Sequence, residues 1–293
     1  MSHKAGFVTI VGKPNAGKST LMNALLGYDL SIVNSKAQTT RHRIKGILNG
    51  DDYQVVFSDT PGIIKPVYRL HERMMGAVNE AFTDADLILY ITEIADLNIE
   101  ELVKEKIVQS NVPLFVIINK VDLADQEKVE EVRKHWQEIL NPLEIFPVSA
   151  LHGFYTDVLL NGILGKLPEG PPFFEKDDSM SDRDMRFFAA EIIREKILSY
   201  YQKEIPYSVE VKITGYKESP EIDVISATIF VTRESQKGIL LGKDGAAIKK
   251  LGTEARRKLE TVLQKKVYLE LTVKVIDNWR DDEQALRNFG YGE

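Results

Sequence analysis

Residues Gly12 to Ser19 read GKPNAGKS, directly after the apolar run FVTIV at residues 7–11 and directly before the helical pattern of TLMNALL. A strand that breaks into a glycine-bracketed loop and restarts as a helix aims backbone N–H groups and the positive end of a helix dipole at one spot, a cradle for phosphate. Lys18 is placed to reach the outer phosphates, and the Ser19 hydroxyl to ligate magnesium. Gly12, Lys13, Pro14, Asn15, Ala16, Gly17, Lys18, Ser19 and Thr20 are therefore the candidate phosphate-binding residues. A bare glycine-rich turn is the competing explanation, and the strand-loop-helix context disfavours it.

Composition bounds what surrounds this loop. With 293 residues, 43% hydrophobic and 28% charged, the chain is long enough for about two domains with separate cores. It has no cysteine, which excludes disulfides, thiolate catalysis and cysteine-ligated zinc and fits a reducing cytosol. No apolar run approaches the roughly 18 residues of a membrane span, and the five histidines show no ligand spacing. Net charge is -6, yet between Arg233 and Lys274 eleven Lys or Arg face five Asp or Glu, a local +6 inside an acidic chain. The two ends of the molecule are thus expected to meet different partners.

Short β-branched runs at residues 7–11, 53–59, 86–91, 113–119 and 143–149 alternate with amphipathic segments, the pattern of a mostly parallel sheet covered on both faces. Residues 1–170 are assigned to this doubly wound α/β domain. The stretch LPEGPPFFEKDDSMSDRD, residues 167–184, has prolines, glycine and acidic residues without periodicity, and a linker over 171–182 is expected there. Residues 183–293 change pattern: helix, two alternating strands, a short helix at 235–241, the turn GKDG, a second helix carrying Ala247, Ile248, Leu251, Ala255, Leu259 and Val262, and a last strand. That order describes a small α+β domain.

Further residues complete a nucleotide site in the first domain. Asp59 ends its strand, the place for a carboxylate that meets magnesium; Thr60, Pro61 and Gly62 follow, and Gly62 can bring an amide close to a phosphate. In QTTRHR at 38–43, Thr40 is favoured over Thr39 as a further metal ligand. Lys18, Thr40 and Gly62 are the residues expected to act on the transferred phosphoryl group. NKVD at 119–122 follows a strongly apolar strand: Asp122 can accept two hydrogen bonds from guanine, Asn119 can bond the other side of the purine, and the Lys120 stem can pack over its face. In the loop Ser149, Ala150, Leu151, the Ala150 amide can bond the guanine carbonyl. Alone, NKVD is as well explained as a helix cap and SAL as a turn; in order, each at the carboxyl end of a strand, the motifs leave little room for that.

With these motifs the first domain resembles a translation-factor-type small GTPase, and the whole chain is similar to the bacterial Era GTPase family. The resemblance implies GTP and GDP as ligands, magnesium as cofactor, and loops ordered by GTP and released on GDP. Ile63 stands where a Ras-like enzyme has a water-orienting glutamine, so slow hydrolysis is implied. It also suggests that Asn15, with loop carbonyls from 31–37, holds a potassium ion. Arg41, His42 and Arg43 are placed in a mobile polar loop and assigned no catalytic role. Trp136, Met74 and Met75 are read as packing residues.

In the second domain a G-x-x-G turn lets a nucleic-acid backbone approach the main chain, and the local basic surplus favours that over a tight helix-helix turn. Residues 236–252 resemble a type II KH domain. Its RNA-binding candidates are Lys237, Ile239, Leu240, Gly242, Lys243, Asp244, Gly245, Ile248 and Lys249, with Ile239, Leu240 and Ile248 lining the groove. The family implies a monomeric, cytoplasmic partner of the 3′ end of 16S ribosomal RNA and of the 30S subunit, with peripheral membrane association as a further implication. The rival reading is a second domain that docks protein or membrane rather than RNA, and a metabolic P-loop kinase is a distant third. The closing segment DNWRDDEQALRNFGYGE resembles the family's tail without a chemical reading of its own.

Overall fold

β1 (Lys4–Gly12) is buried over most of its length, as a strand with neighbours on both edges and helices on both faces must be. The computed structural model describes residues 3–176 and 180–292. After β1 come α1 (Lys18–Leu26), β2 (Ile44–Asn49), β3 (Tyr53–Asp59), α2 (Arg69–Thr83), β4 (Leu87–Glu93), α3 (Glu101–Ser110), β5 (Leu114–Asn119), α4 (Gln126–Leu140), β6 (Glu144–Pro147) and α5 (Thr156–Lys166). The sheet order is β2-β3-β1-β4-β5-β6, all parallel except β2, which runs antiparallel to β3. The reversal of strand order around β1 leaves a crevice at the carboxyl ends of the strands, where ligands of such sheets sit. Trp136 is fully buried, edge-on to Tyr90 with centroids 5.4 Å apart, and Met74 is buried, so both are packing residues.

β2 was not expected from the sequence. IKGILN is short and interrupted by glycine, and its strand character comes from pairing with β3 from Ile44 opposite Asp59 to Asn49 opposite Gln54. The segment expected as a linker also differs, because the part of it described lies along the outer edge of β2. The Ile47 amide donates to the Met180 carbonyl at 3.0 Å, and the Ser181 hydroxyl to the Lys45 carbonyl at 2.7 Å. Buried Gln54 accepts from the Phe173 and Phe174 amides at 2.7 and 3.0 Å and donates to the Phe174 carbonyl at 2.9 Å. This strap covers an edge that would otherwise expose unpaired backbone groups. Asp177, Asp178 and Ser179 of the expected linker, and residues 1, 2 and 293 of the expected domains, lie outside the described residues.

By contacts the chain divides into two units, one holding the chain up to Lys65 with Met74–Asp182, the other holding Pro66–Arg73 with the chain from Arg183 onward. The second unit contains α6 (Met185–Tyr200), α7 (Ile205–Ser208), β7 (Glu210–Lys217), β8 (Ile222–Val231), α8 (Glu234–Leu241), α9 (Ala246–Leu263), β9 (Lys266–Val275) and α10 (Glu283–Asn288). Its sheet is β7-β8-β9, antiparallel then parallel, with Ile193, Ile229, Leu251 and Leu259 among the core residues.

The tail completes that unit. Trp279 is fully buried and its indole N–H donates to the Ser208 carbonyl at 3.0 Å; the hydroxyl of buried Tyr291 donates to Glu210 at 2.6 Å. Buried Arg194 pairs with Glu191 at 2.7 Å. Burial opposes the Arg194 charge, and Glu191, aided by Glu210, outweighs it and holds the guanidinium charged.

Candidate functional site

A cavity of about 660 Å³ in the first unit opens between the loop after β1, the loop leading to β2 and the loops after β5 and β6. Pro14, Asn15, Gly17, Lys18, Ser19 and Thr20 line it, with Thr40, Gly62, Asn119, Lys120, Asp122, Ser149 and Leu151. Gly12, Ala16, Asp59, Thr60, Pro61 and Ala150 are buried and outside this lining, and Lys13 is half-buried.

At the phosphate end, Lys18 is buried and its ammonium donates to the carbonyls of Gly12 at 3.1 Å and Lys13 at 2.8 Å. Burial lowers its pKa to about 8, partly offset by the negative charge of Asp59. The Lys13 ammonium turns away to Asp96 at 2.7 Å, tying the cradle to the loop after β4. Gly62 has to be glycine, since a Cβ there would lie 2.9 Å from the Pro14 backbone nitrogen.

Three oxygens converge beside Lys18. The Ser19 hydroxyl donates to Asp59 Oδ2 at 2.7 Å, the Thr40 hydroxyl approaches the same oxygen at 3.3 Å, and the two hydroxyls are 2.9 Å apart. Burial raises the Asp59 pKa against the hydrogen bond from Ser19 and the charge of Lys18, and Asp59 Oδ1 is buried with no hydrogen-bond partner. One carboxylate and two hydroxyls of hard oxygen, with an acceptor unsatisfied, fit a magnesium ion that takes its other ligands from phosphate and water. Among the described residues there is no cluster of three or more His, Cys, Asp or Glu to make an all-protein metal site.

Ile63 has an explanation of its own. Its amide donates to the Gly12 carbonyl at 3.3 Å, and its side chain packs with Met75 against the apolar cluster around Val11, Tyr90 and Trp136. The position is used to anchor the loop. Arg41 and Arg43 also differ from expectation: both are buried, and Arg43 donates to Ser58 and pairs with Asp84 at 2.6 Å, fixing the start of β2.

At the base end, Asn119 works inside the protein. Its amide nitrogen donates to the Ala16 carbonyl at 2.8 Å and its oxygen accepts from the Ala150 amide at 3.0 Å. Asn119 thereby bridges the phosphate loop and the loop after β6, a structural role beside the purine contacts expected of it and of Ala150. Lys120 is held by Glu93 at 2.7 Å. Asp122 is open to the cavity, and the Ser149 hydroxyl, followed by smaller contributions from His152 and Lys120, keeps its pKa below the usual carboxylate range.

In the second unit the turn Gly242–Gly245 puts Gly242, Asp244 and Gly245 at φ of 70°, 52° and 75°. A Cβ on Gly245 would meet open space, and Lys243, Asp244 and Lys249 are exposed. A groove of about 370 Å³ runs between α9 and β9, lined by Ile248, Lys249, Gly252, Thr253, Arg256, Leu269 and Leu271. Leu240 is fully buried in the core, which corrects its assignment to the groove, while Ile239 is half exposed. Lys237 sits on α8 at 3.8 Å from Glu234. Gly252 was missed as a lining residue, and Arg256, one of the basic residues that follow the turn, joins it there; the signal was the four-residue spacing from Ile248 along one helical face.

Residues 7–120 match a family described as 50S ribosome-binding GTPase, and residues 204–280 match the KH domain. Among curated relatives, GTPase Era of Syntrophus aciditrophicus is 44% identical over 99% of this chain and 96% of its own. That of Clostridium kluyveri is 42% identical over 98% and 99%. The maize chloroplastic GTPase ERA1 is 43% identical over 99% of this chain and 71% of its own. A crystal structure of Era in complex with MgGDPNP and nucleotides 1506–1542 of 16S ribosomal RNA superposes with a TM-score of 0.95 at 40% identity, covering 99% of this chain and 100% of that one. An Aquifex aeolicus Era variant bound to GDP·AlF4− gives the same TM-score, identity and coverage.

Proposed function

The chain belongs to the Era family of GTPases, and we propose that it hydrolyses GTP to GDP as a switch that controls its grip on the 3′-end region of 16S ribosomal RNA and so assists assembly of the 30S subunit. One observation carries the nucleotide half: a single cavity has Lys18 and the Ser19-Thr40-Asp59 oxygens at one end and the ionised Asp122 at the other, the two ends of a guanine nucleotide. Ser19, Thr40 and Asp59 would hold a magnesium ion, which would supply charge that neutralises the outer phosphates. Lys18 supplies a fixed ammonium, and the Gly62 amide a close approach to the terminal phosphate. Because Ile63 offers no side-chain hydrogen bond, orienting the attacking water falls to backbone groups, and slow intrinsic turnover is expected.

Asn15 has φ of 65° and lines the cavity near Asn34 and Ser35, where a potassium ion would sit against the phosphates. Turnover in potassium is expected to exceed turnover in sodium at equal ionic strength, and equal rates would remove the ion from this site.

The RNA half rests on the Gly242–Gly245 turn beside a basic groove. Gly245→Asp is the suitable probe, because the turn has room for the side chain, aspartate tolerates a positive φ, and the added charge sits where a phosphate must come. The expected result is a loss of RNA affinity of about tenfold or more with GDP affinity unchanged, measured on a 16S 3′-end fragment, and wild-type binding that weakens steeply with salt. Unchanged RNA affinity would favour a second domain that docks protein or membrane. We place the protein in the cytoplasm as a monomer; no helix among the described residues is long and apolar enough to cross a membrane. Peripheral membrane contact through the basic face of α9 is a secondary reading.

A further inference from the structure

The tail does more than close the core of its own unit. Within that unit it holds Pro66–Arg73, the segment that follows the phosphate-facing loop and contains the first turn of α2. The Arg280 carbonyl accepts from the Leu70 amide at 2.9 Å, and the Asp281 carboxylate accepts from the Arg69 amide at 3.1 Å. Glu283 pairs with Arg69 at 3.4 Å and also with Arg73. The Arg280 guanidinium lies 4.6 Å from the Tyr68 ring centroid. The first N–H groups of a helix have no partner within it, and here two of them are satisfied from the far end of the sequence, with a carboxylate set against the positive end of the helix dipole.

Position along the chain gives this contact its consequence. Only Ile63, Ile64 and Lys65 separate Gly62 from the tail-held segment. Upstream, Gly62 is fixed by buried Asp59 and Thr60, the latter donating to the Ile10 carbonyl at 2.8 Å. Downstream, Ile63 packs against the apolar cluster, and three residues further on the chain enters the tail-held segment. Each of these partly exposed ion pairs contributes little alone, but the two caps and two pairs act on one short turn.

We propose that Asp281 and Glu283 are positioning residues for GTP hydrolysis: by holding the first turn of α2 they fix the downstream end of the loop that presents Gly62. The inference rests on the GTPase reading above. The loop is needed in place for the chemical step, whereas nucleotide affinity is set at Lys18 and Asp122, so releasing the tail lowers kcat and leaves KM and GDP affinity unchanged.

Glu283→Arg is the first test, on the full chain with GTP and magnesium, with melting temperature followed in parallel. The expected result is a fall in kcat of about three- to tenfold, at unchanged KM and melting temperature. Adding Arg69→Glu and Arg73→Glu restores the opposite charges in reversed sense and should restore kcat. Asp281→Asn, which alters only the cap, should give a smaller fall, and faster hydrogen exchange at the Leu70 amide should accompany it. An unchanged kcat in Glu283→Arg, or a loss that the reversed-charge variant does not repair, overturns the proposal. So does a loss that merely tracks a lower melting temperature. If the wild-type protein turned over no GTP, the GTPase reading would fail first, a result separable from all of these.

Discussion

Asp122→Asn lowers affinity for GDP and GTP by about three orders of magnitude and transfers the preference to xanthine nucleotides, read by competition binding with guanosine, xanthosine and adenosine diphosphates. The Asp122 carboxylate is held ionised, first by the Ser149 hydroxyl, and an ionised carboxylate only accepts hydrogen bonds. Guanine presents two donors there, the ring N–H and the exocyclic amine. An asparagine can accept at only one of its two terminal atoms and turns a donor toward the other, which leaves a mismatch in a site built for hydrogen bonding. Xanthine carries a carbonyl in place of the amine and suits the amide. Undiminished guanine affinity in this variant would mean that the base end of the cavity lies elsewhere.

Lys18→Ala is expected to weaken nucleotide binding by about a hundred- to ten-thousandfold, the loss of charge-assisted bonds to phosphate, with the fold retained. The lysine also predicts a pH dependence that the alanine variant should lack. In the free protein its pKa is near 8, because burial opposes the charge; bound phosphates favour the charge and raise it. Above about pH 8, binding must therefore take up a proton, and affinity should fall by up to about tenfold per pH unit as Lys18 becomes neutral beforehand. Calorimetry in buffers of different ionisation heat measures that proton directly. Stability of the free protein runs the other way. Between about pH 8 and the ordinary lysine value of 10.5 the unfolded chain binds the proton that the folded chain has shed, so this residue makes folding more favourable as pH rises through that window.

Asn119 and Ile63 show where reading residues singly stops short. Both occur in motifs that the sequence displays openly, and both were assigned in relation to ligand chemistry. In the structure Asn119 also donates one N–H to Ala16 and accepts from Ala150, and Ile63 packs, like Met75, against an apolar cluster. A side-chain amide or a branched alkyl group serves a ligand or a neighbouring loop with the same atoms, and only the positions of residues far along the chain decide which. Leu240 and Ile239 make the same point: adjacent apolar residues on α8 face the core and the solvent respectively, and a helix this short does not fix its own rotation.

What the sequence determined by itself is the chemistry contained in contiguous motifs. GKPNAGKS, DTPG, NKVD and the G-x-x-G turn each carry their chemistry within a few residues, and the alternation of apolar strands with helical periodicity stacks the first three at one end of a mostly parallel sheet. Tertiary structure alone decided β2, the strap along its edge and the tail that caps α2. Edge pairing and helix capping are met by any backbone donor or acceptor that arrives at the right distance, so they leave no residue-type signature where they occur. Ser181 beside Lys45 and Asp281 beside Arg69 are pairs made by the path of the chain.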